Sequence, residues 1–272
     1  YDVRTVIDTM CDEGSVLEIR RAFGPGMVTC LARIEGKPLG IVANNPTHLA
    51  GAIDSDGSDK AARFLQLCDA FDLPVLFLCD TPGMMVGPEV EKTALVRHCS
   101  RLFVTGANLG VPFGTIVLRK AYGLGYYIMG SRPLSPAILL AWPTAEYGGM
   151  GLEGAASIIY RKELDAIGDA ERRAAAHRER TDELKRYNTA LEVAGRFGYD
   201  DVVDPADTGL AKVGGGAVTL TVDEATGNIT SSPAIGGIPT EGNFDIAASK
   251  VVLAEGQPLI GWPVLGVAHL MV

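Results

Sequence analysis

Residues 117–129 read V-L-R-K-A-Y-G-L-G-Y-Y-I-M and are the best guide to the fold. An apolar run, residues 113–118, leads into two cations, then into Gly123 and Gly125, and then into residues that can continue as a helix. This order is typical of a strand, a tight loop and a helix N-terminus, where backbone N–H groups lack acceptors. Because neither glycine has a Cβ, a ligand oxygen could approach the main chain and meet the Leu124 amide. The stretch predicts either an oxyanion hole or an ordinary turn that needs glycine for its backbone conformation.

A second stretch has the same organisation. Residues 74–79, P-V-L-F-L-C, form an apolar run of the buried-strand type, and the loop D-T-P-G-M-M-V-G follows at residues 80–87 before a helical pattern begins at Glu89. Units of strand, loop and helix with fully apolar strands recur between residues 27 and 160. This pattern favours parallel β-structure covered by helices, that is, an α/β fold.

Hydrophobic periodicity predicts the individual elements. We expect a helix over residues 3–10, followed by strands over 27–34 and 39–43 around a turn at 35–38. Two amphipathic helices come next: the first has Ala61, Phe64, Leu65, Cys68 and Phe71 on one face, and the second, which starts at Glu89, has Leu95, Cys99, Leu102, Gly106 and Leu109 on one face. A strand over 137–142, a helix over 150–160 and a long outer helix over 170–193 complete the prediction. The long helix is interpreted either as a cap on the domain or as a contact for a partner.

The composition changes near residue 208, which indicates a boundary. We expect one domain over residues 1–208, a glycine-rich linker over 209–216, and a small appendage with some β-structure over 217–272. Within the appendage, residues 218–222 and Ile229 are predicted to form a hairpin with its turn at 226–228.

Composition and charge exclude several classes of protein. The chain has 272 residues, 47% of them hydrophobic, which allows a sizeable core, and it has no apolar run long enough to span a membrane. Its net charge is −9 with dispersed basic residues, which argues against a nucleic-acid surface. Five cysteines form no C-x-x-C pair, so we expect no metal and no disulfide framework, with Cys79 the thiol to test for reactivity. Since the chain starts without a signal-peptide pattern, we expect a cytoplasmic protein.

Six blocks of sequence resemble, in order, the C-terminal half of the carboxyltransferase of biotin-dependent acyl-CoA carboxylases. They are Y-D-V-R-T-V-I-D at 1–8, A-R-I-E-G-K-P-L-G-I-V-A-N-N at 32–45, K-A-A-R-F-L-Q-L-C-D-A-F at 60–71, P-V-L-F-L-C-D-T-P-G-M-M-V-G at 74–87, R-K-A-Y-G-L-G-Y-Y-I-M at 119–129 and A-W-P-T-A-E-Y-G-G-M-G at 141–151. The resemblance covers about the first three quarters of the chain and leaves residues 209–272 outside.

The resemblance implies a crotonase-like (ClpP/crotonase) β-β-α spiral and a carboxyltransferase component of an acyl-CoA carboxylase. In such enzymes the C-terminal half holds carboxybiotin, and an N-terminal half, here another chain or a missing part, holds the acyl-CoA. The implied partners are a biotin carboxyl carrier protein, a biotin carboxylase and further copies in an oligomer.

The same resemblance assigns roles to residues of the two glycine loops. It implies that backbone N–H groups of Leu124 and Gly125 bind the biotin oxygen, with Gly123 in the same loop and Gly83 and Met84 nearby. The family often has Gly-Gly-Ala-Tyr-Asp where this chain has Gly-Leu-Gly-Tyr-Tyr, and the last position, Tyr127, borders the acyl pocket in related enzymes.

Other readings remain open at this point. A biotin-dependent acyl-CoA decarboxylase, a crotonase-like hydratase or thioesterase with an acidic base, and a non-catalytic scaffold subunit are the alternatives. His98 fits a packed helix histidine better than a general base, whereas His48 lies in a polar loop that is better placed to line a site. Arg119 and Lys120 are either anion-binding groups or an ordinary surface pair.

Overall fold

The computed structural model describes residues 1–205, 219–222 and 229–232. The strands are β1 Leu17–Glu18, β2 Met27–Ile34, β3 Lys37–Asn44, β4 Val75–Thr81, β5 Phe113–Tyr122, β6 Ile138–Ala141, β7 Glu146–Gly148, β8 Asp201–Val202, β9 Thr219–Val222 and β10 Ile229–Ser232. The helices are α1 Val3–Met10, α2 Ser55–Ala70, α3 Pro88–Glu91, α4 Leu95–Ala107, α5 Gly123–Ile128, α6 Leu152–Ile159, α7 Arg161–Asp165, α8 Ala170–Arg186 and α9 Ala190–Gly195.

One eight-stranded sheet organises the chain, with strand order β1-β2-β3-β4-β5-β6-β8 and β7 added to β5. The pairs from β1 to β3 are antiparallel, and all pairs from β3 onward are parallel. Parallel strands need helical crossovers, so helices cover the sheet and the predicted α/β fold is confirmed.

Strand β4 lies at the centre of this sheet, and all seven of its residues are buried. Val75, Phe77 and Cys79 belong to one hydrophobic cluster, which includes residues of α2, whereas Leu76 and Leu78 belong to a second cluster, which includes residues of α1. Side chains alternate between the two faces of a strand, so a continuous apolar run supplies both cores.

Three predicted features of the helices differ from the structure. The prediction of one long helix over 170–193 is wrong, because α8 ends at Arg186. A separate helix, α9, follows, and Thr189 caps it by accepting a hydrogen bond from the Glu192 N–H. The helical pattern from Glu89 is divided into α3 and α4, with Ala94 in a left-handed conformation between them. Phe71 is 68% exposed at the C-cap position, after α2 ends at Ala70, and so does not share the buried face of the helix.

The predicted hairpin strands of the C-terminal region are present as an antiparallel pair, β9 with β10, in which Val222 stands opposite Ile229. The turn at 226–228 and the linker at 209–216 lie outside the described residues. The boundaries of the appendage therefore stay predictions. In the part of the chain that the structure describes, no helix is long and apolar enough to cross a membrane.

Candidate active site

The two glycine loops meet at the carboxyl ends of two central strands, β4 and β5. Strands β4 and β5 are parallel neighbours, so their carboxyl ends and the loops that follow lie side by side. A Cβ on Gly125 would lie 2.7 Å from the Cα and carbonyl carbon of Gly83. Only glycine allows this approach, and Gly83 itself has a φ of +124°, which other residues rarely adopt. The structure thus brings together two residues that the sequence predicted to share a site.

Helix α5 begins at Gly123, directly after β5 ends at Tyr122, so no separate loop lies between the strand and the helix. Gly123 has a φ of +57°, and the Tyr122 side chain makes no capping hydrogen bond. The first N–H groups of a helix have no acceptor within it, which applies to Gly123, Leu124 and Gly125. The Leu124 side chain is 59% exposed, whereas Gly125 is buried. Backbone donors that have no acceptor within α5 therefore lie at the carboxyl end of β5.

The loop after β4 is held by hydrogen bonds on both sides of Gly83. The Gly83 N–H donates to Thr81 Oγ1 over 3.1 Å, and the Gly83 carbonyl accepts from the Ile53 N–H over 3.0 Å. The Met85 N–H donates to the Ile53 carbonyl over 2.9 Å. Among the described residues, the Met84 amide between them has no hydrogen-bond acceptor. The hydrogen bonds on either side therefore fix the backbone at Met84 while leaving its N–H without an acceptor among the described residues.

The cations before the glycine loop are already engaged. Arg119 Nε lies 3.1 Å from Asp80 Oδ2, and Lys120 Nζ donates to the Ala50 carbonyl over 2.9 Å. Burial lowers the pKa of Lys120. Neither side chain is a simple surface cation, and the sequence analysis assigned no role of its own to the buried Asp80 carboxylate that pairs with Arg119. Its signal in the sequence is its position directly after an apolar strand and before Thr-Pro-Gly.

Tyr127, two residues after Gly125, lies on the wall of a cavity of about 370 Å³. Its side chain is 37% exposed, and Tyr126, Tyr147, Arg132 and Arg196 also line the cavity. Burial, together with the neighbouring Tyr127 phenol, raises the pKa of Tyr147. The predicted role of Tyr127 in acyl selection stays a prediction, now attached to a defined cavity.

The remaining candidates have identified partners. His98 Nδ1 lies 2.9 Å from Asp59 Oδ2, as expected for a histidine satisfied on a helix surface. His48 Nε2 lies 3.8 Å from Asp54 Oδ2, a partner that the sequence did not indicate. Cys79 is fully buried, and burial raises the pKa of its thiol, so it is not a reactive cysteine. In residues 1–205, no group of three or more histidine, cysteine or acidic side chains could hold a metal.

Residues 1–226 match the carboxyl transferase domain, and this chain belongs to that family. A propionyl-CoA carboxylase beta chain from Saccharopolyspora erythraea is 43% identical over 212 residues, covering 76% of this chain and 38% of the relative. The methylmalonyl-CoA decarboxylase subunit alpha of Propionigenium modestum is 38% identical over 206 residues, covering 75% of this chain and 39% of the relative.

A similar fold is present among solved structures. The crystal structure of the transcarboxylase 12S hexamer with methylmalonyl-CoA bound matches with a TM-score of 0.71 and 41% identity over 77% of this chain and 39% of that chain. The chain therefore spans about two fifths of the length of these three proteins, 38% of one and 39% of the other two.

Proposed function

We propose that this chain is the carboxybiotin-binding half of a biotin-dependent acyl-CoA carboxyltransferase, with a crotonase-type β-β-α spiral as its fold. The observation that carries the proposal is the contact between Gly125 and Gly83, where a Cβ would come within 2.7 Å of the backbone. Two glycine loops in backbone contact leave main-chain donors, rather than acidic side chains, as the chemistry of the site. The family membership of residues 1–226 supports the same conclusion.

The residues of the loops fit a bound ureido group. Carboxybiotin would supply the carboxyl group and would need hydrogen-bond donors at its ureido oxygen, where negative charge develops as the carboxyl group leaves. In our proposal the N–H groups of Leu124 and Gly125 donate to that oxygen. Gly123 and Gly83 allow the close approach, and Met84 lines the adjacent loop. Because helix geometry fixes these donors before the reaction, no reorganisation is needed when charge appears.

The acyl-CoA would be held by a partner half. Three apolar side chains around the glycine loops, Val86, Leu124 and Met150, are 83%, 59% and 45% exposed. Exposed apolar side chains grouped around a site are typical of a surface that another chain or domain covers. We propose that the N-terminal half of a carboxyltransferase occupies this surface and excludes water, with a biotin carboxyl carrier protein and a biotin carboxylase as further partners in an oligomer. The five cysteines are buried free thiols, which fits the reducing cytoplasm as its compartment.

The reverse reaction is the second candidate, because a methylmalonyl-CoA decarboxylase subunit is 38% identical to this chain. The same donors would serve carboxyl transfer to biotin. What sets the direction is the supply of carboxybiotin or its removal, which the glycine loops do not determine.

Reconstitution tests the proposal. We expect the purified chain alone to carboxylate no acyl-CoA, and the chain mixed with an N-terminal half from a related carboxyltransferase to transfer radiolabelled carboxyl from carboxybiotin to propionyl-CoA. Transfer in the opposite direction, from methylmalonyl-CoA to biotin, is measured with the same mixture. Activity of the isolated chain, or a folded complex that transfers in neither direction, would contradict the proposal; the second outcome would favour a scaffold subunit.

A further inference from the structure

The pairing of β4 with β5 is interrupted at Asp80. Residues Val75–Cys79 pair one to one with Phe113–Val117, and pairing resumes between Thr81 and Ala121. One residue of β4, position 80, therefore stands opposite three residues of β5, positions 118, 119 and 120. An insertion of this kind is a β-bulge, which leaves ladder groups without their usual partners and redirects the strand that follows.

The Asp80 side chain supplies what the ladder lacks at this point. Its carboxylate is fully buried, and Oδ1 accepts a hydrogen bond from the Lys120 N–H over 3.2 Å. Oδ2 accepts from Arg119 Nε over 3.1 Å and from the Tyr1 hydroxyl over 2.8 Å. The Arg119 guanidinium also lies 5.6 Å from the centre of the Tyr1 ring. Three donors, one of which belongs to the Arg119 cation, thus compensate the burial of the charge.

Asp80 is tied to the strand on its other side as well. The Asp80 N–H donates to Asn44 Oδ1 over 3.1 Å, just beyond the last pair of β3 with β4, which is Ala43 with Leu78. A Cβ on Gly51 would lie 2.2 Å from the Asp80 carbonyl oxygen, so the backbone of the loop after β3 packs directly on it. Because Asp80 makes contacts on both sides, it has little freedom to shift, and the bulge between β4 and β5 is fixed in position.

We infer that Asp80 is a positioning residue, which fixes the end of β5 and thereby the first turn of α5. Only Ala121 and Tyr122 separate Lys120 from Gly123, both belong to β5, and both are buried. A displacement of the Lys120 backbone therefore passes to the Gly123–Gly125 turn. The effect of Asp80 on catalysis rests on the proposed function, whereas its effect on the geometry of the Gly123–Gly125 turn does not.

Asp80→Asn tests the inference, because it keeps the shape and replaces one acceptor oxygen with an NH₂ group facing donors. In the complex with the N-terminal half we expect kcat to fall about 10-fold to 100-fold, with KM for acyl-CoA changed by less than about twofold. In the chain alone we expect faster amide hydrogen exchange confined to residues 118–126. A residue that contributes only to stability would instead lower the unfolding temperature and speed exchange throughout the sheet.

Asp69→Asn is the matched control. Asp69 Oδ1 also accepts backbone N–H groups, from Gly110 over 2.7 Å and from Val111 over 3.3 Å, but it lies near the opposite end of β5. We expect this variant to keep wild-type kcat and wild-type exchange in residues 118–126. If Asp80→Asn does not fold, Arg119→Gln changes a side chain that is 47% exposed, removes one partner of Asp80, and should give the same changes at smaller size.

The two measurements separate the possible failures. A wild-type complex without transfer activity contradicts the proposed function, yet localised exchange in Asp80→Asn would still support the positioning role. Folded Asp80→Asn with normal exchange in residues 118–126 overturns the inference. So does normal kcat in that variant when the wild-type complex is active.

Discussion

Replacing Gly125 by alanine would place a methyl group against the backbone of Gly83. The new Cβ would lie 2.7 Å from two Gly83 atoms, whereas ordinary contact begins at 3.4 Å, so the loops must separate by about 0.7 Å (3.4 − 2.7). Overpacking of this kind costs about 1–3 kcal/mol of folding free energy. A displacement near 1 Å at a reacting centre can cost about 10²-fold in rate. We therefore expect Gly125→Ala to fold with reduced stability and to lose most of its activity.

A second glycine provides the matched control. Gly154 lies in α6, and a Cβ there would meet nothing within 4 Å. Since alanine is favoured over glycine inside a helix, Gly154→Ala should raise stability by about 0.5–1 kcal/mol and leave turnover unchanged. The same chemical substitution thus has opposite predicted effects on stability at two positions.

The assay combines urea unfolding of each variant with carboxyl transfer by the complex with an N-terminal half. We expect Gly125→Ala to reduce transfer about 10²-fold after correction for the folded fraction. Gly125→Pro is less informative, because its ring carbon would meet the same Gly83 atoms and would disturb the fold together with the donor. Wild-type transfer by folded Gly125→Ala would refute the reasoning that the contact between the two loops sets the geometry of the site.

Further predictions concern Tyr127, the cysteines and metal. Tyr127→Ala should enlarge the cavity of about 370 Å³ and change the ratio of kcat/KM between short and longer or aryl acyl-CoA substrates by more than about 10-fold; a uniform loss across substrates would indicate a structural role. A thiol reagent should label none of the five buried cysteines of the native chain within the time in which it labels them all in urea, and rapid labelling of Cys79 would contradict its burial. Metal analysis should find no stoichiometric zinc, and one tightly held zinc for each chain would contradict the reading of the sequence.

The central strands were predictable because their burial is continuous. Residues 75–79 are apolar throughout and residues 113–118 are apolar apart from Thr115, and they begin β4 and β5 as the pattern indicated. The helix interruptions were not predictable from periodicity. The end of α8 depends on the Asn188 carbonyl, which accepts from the Tyr147 N–H over 3.0 Å, and this is a contact between distant parts of the chain.

The site was predictable in its glycines but not in its support. Gly125 is singled out in the sequence because it lacks a Cβ, and Gly83 through the family resemblance, and the structure adds that their backbones are in close contact. Asp80 carried no periodic signal, because its role depends on a bulge between two strands whose register the sequence does not specify. The partner of Arg119 was missed for the same reason.

The most direct test of the central claim compares two substitutions at Leu124, whose side chain is 59% exposed. Proline is tolerated in the first turn of a helix and removes the backbone N–H, whereas alanine keeps it. With radiolabelled carboxybiotin and the reconstituted complex, we predict a loss of about 10²-fold to 10³-fold in transfer for folded Leu124→Pro and less than about twofold for Leu124→Ala. Equal transfer rates for the two variants would contradict the claim that a main-chain donor of this loop stabilises the biotin oxygen.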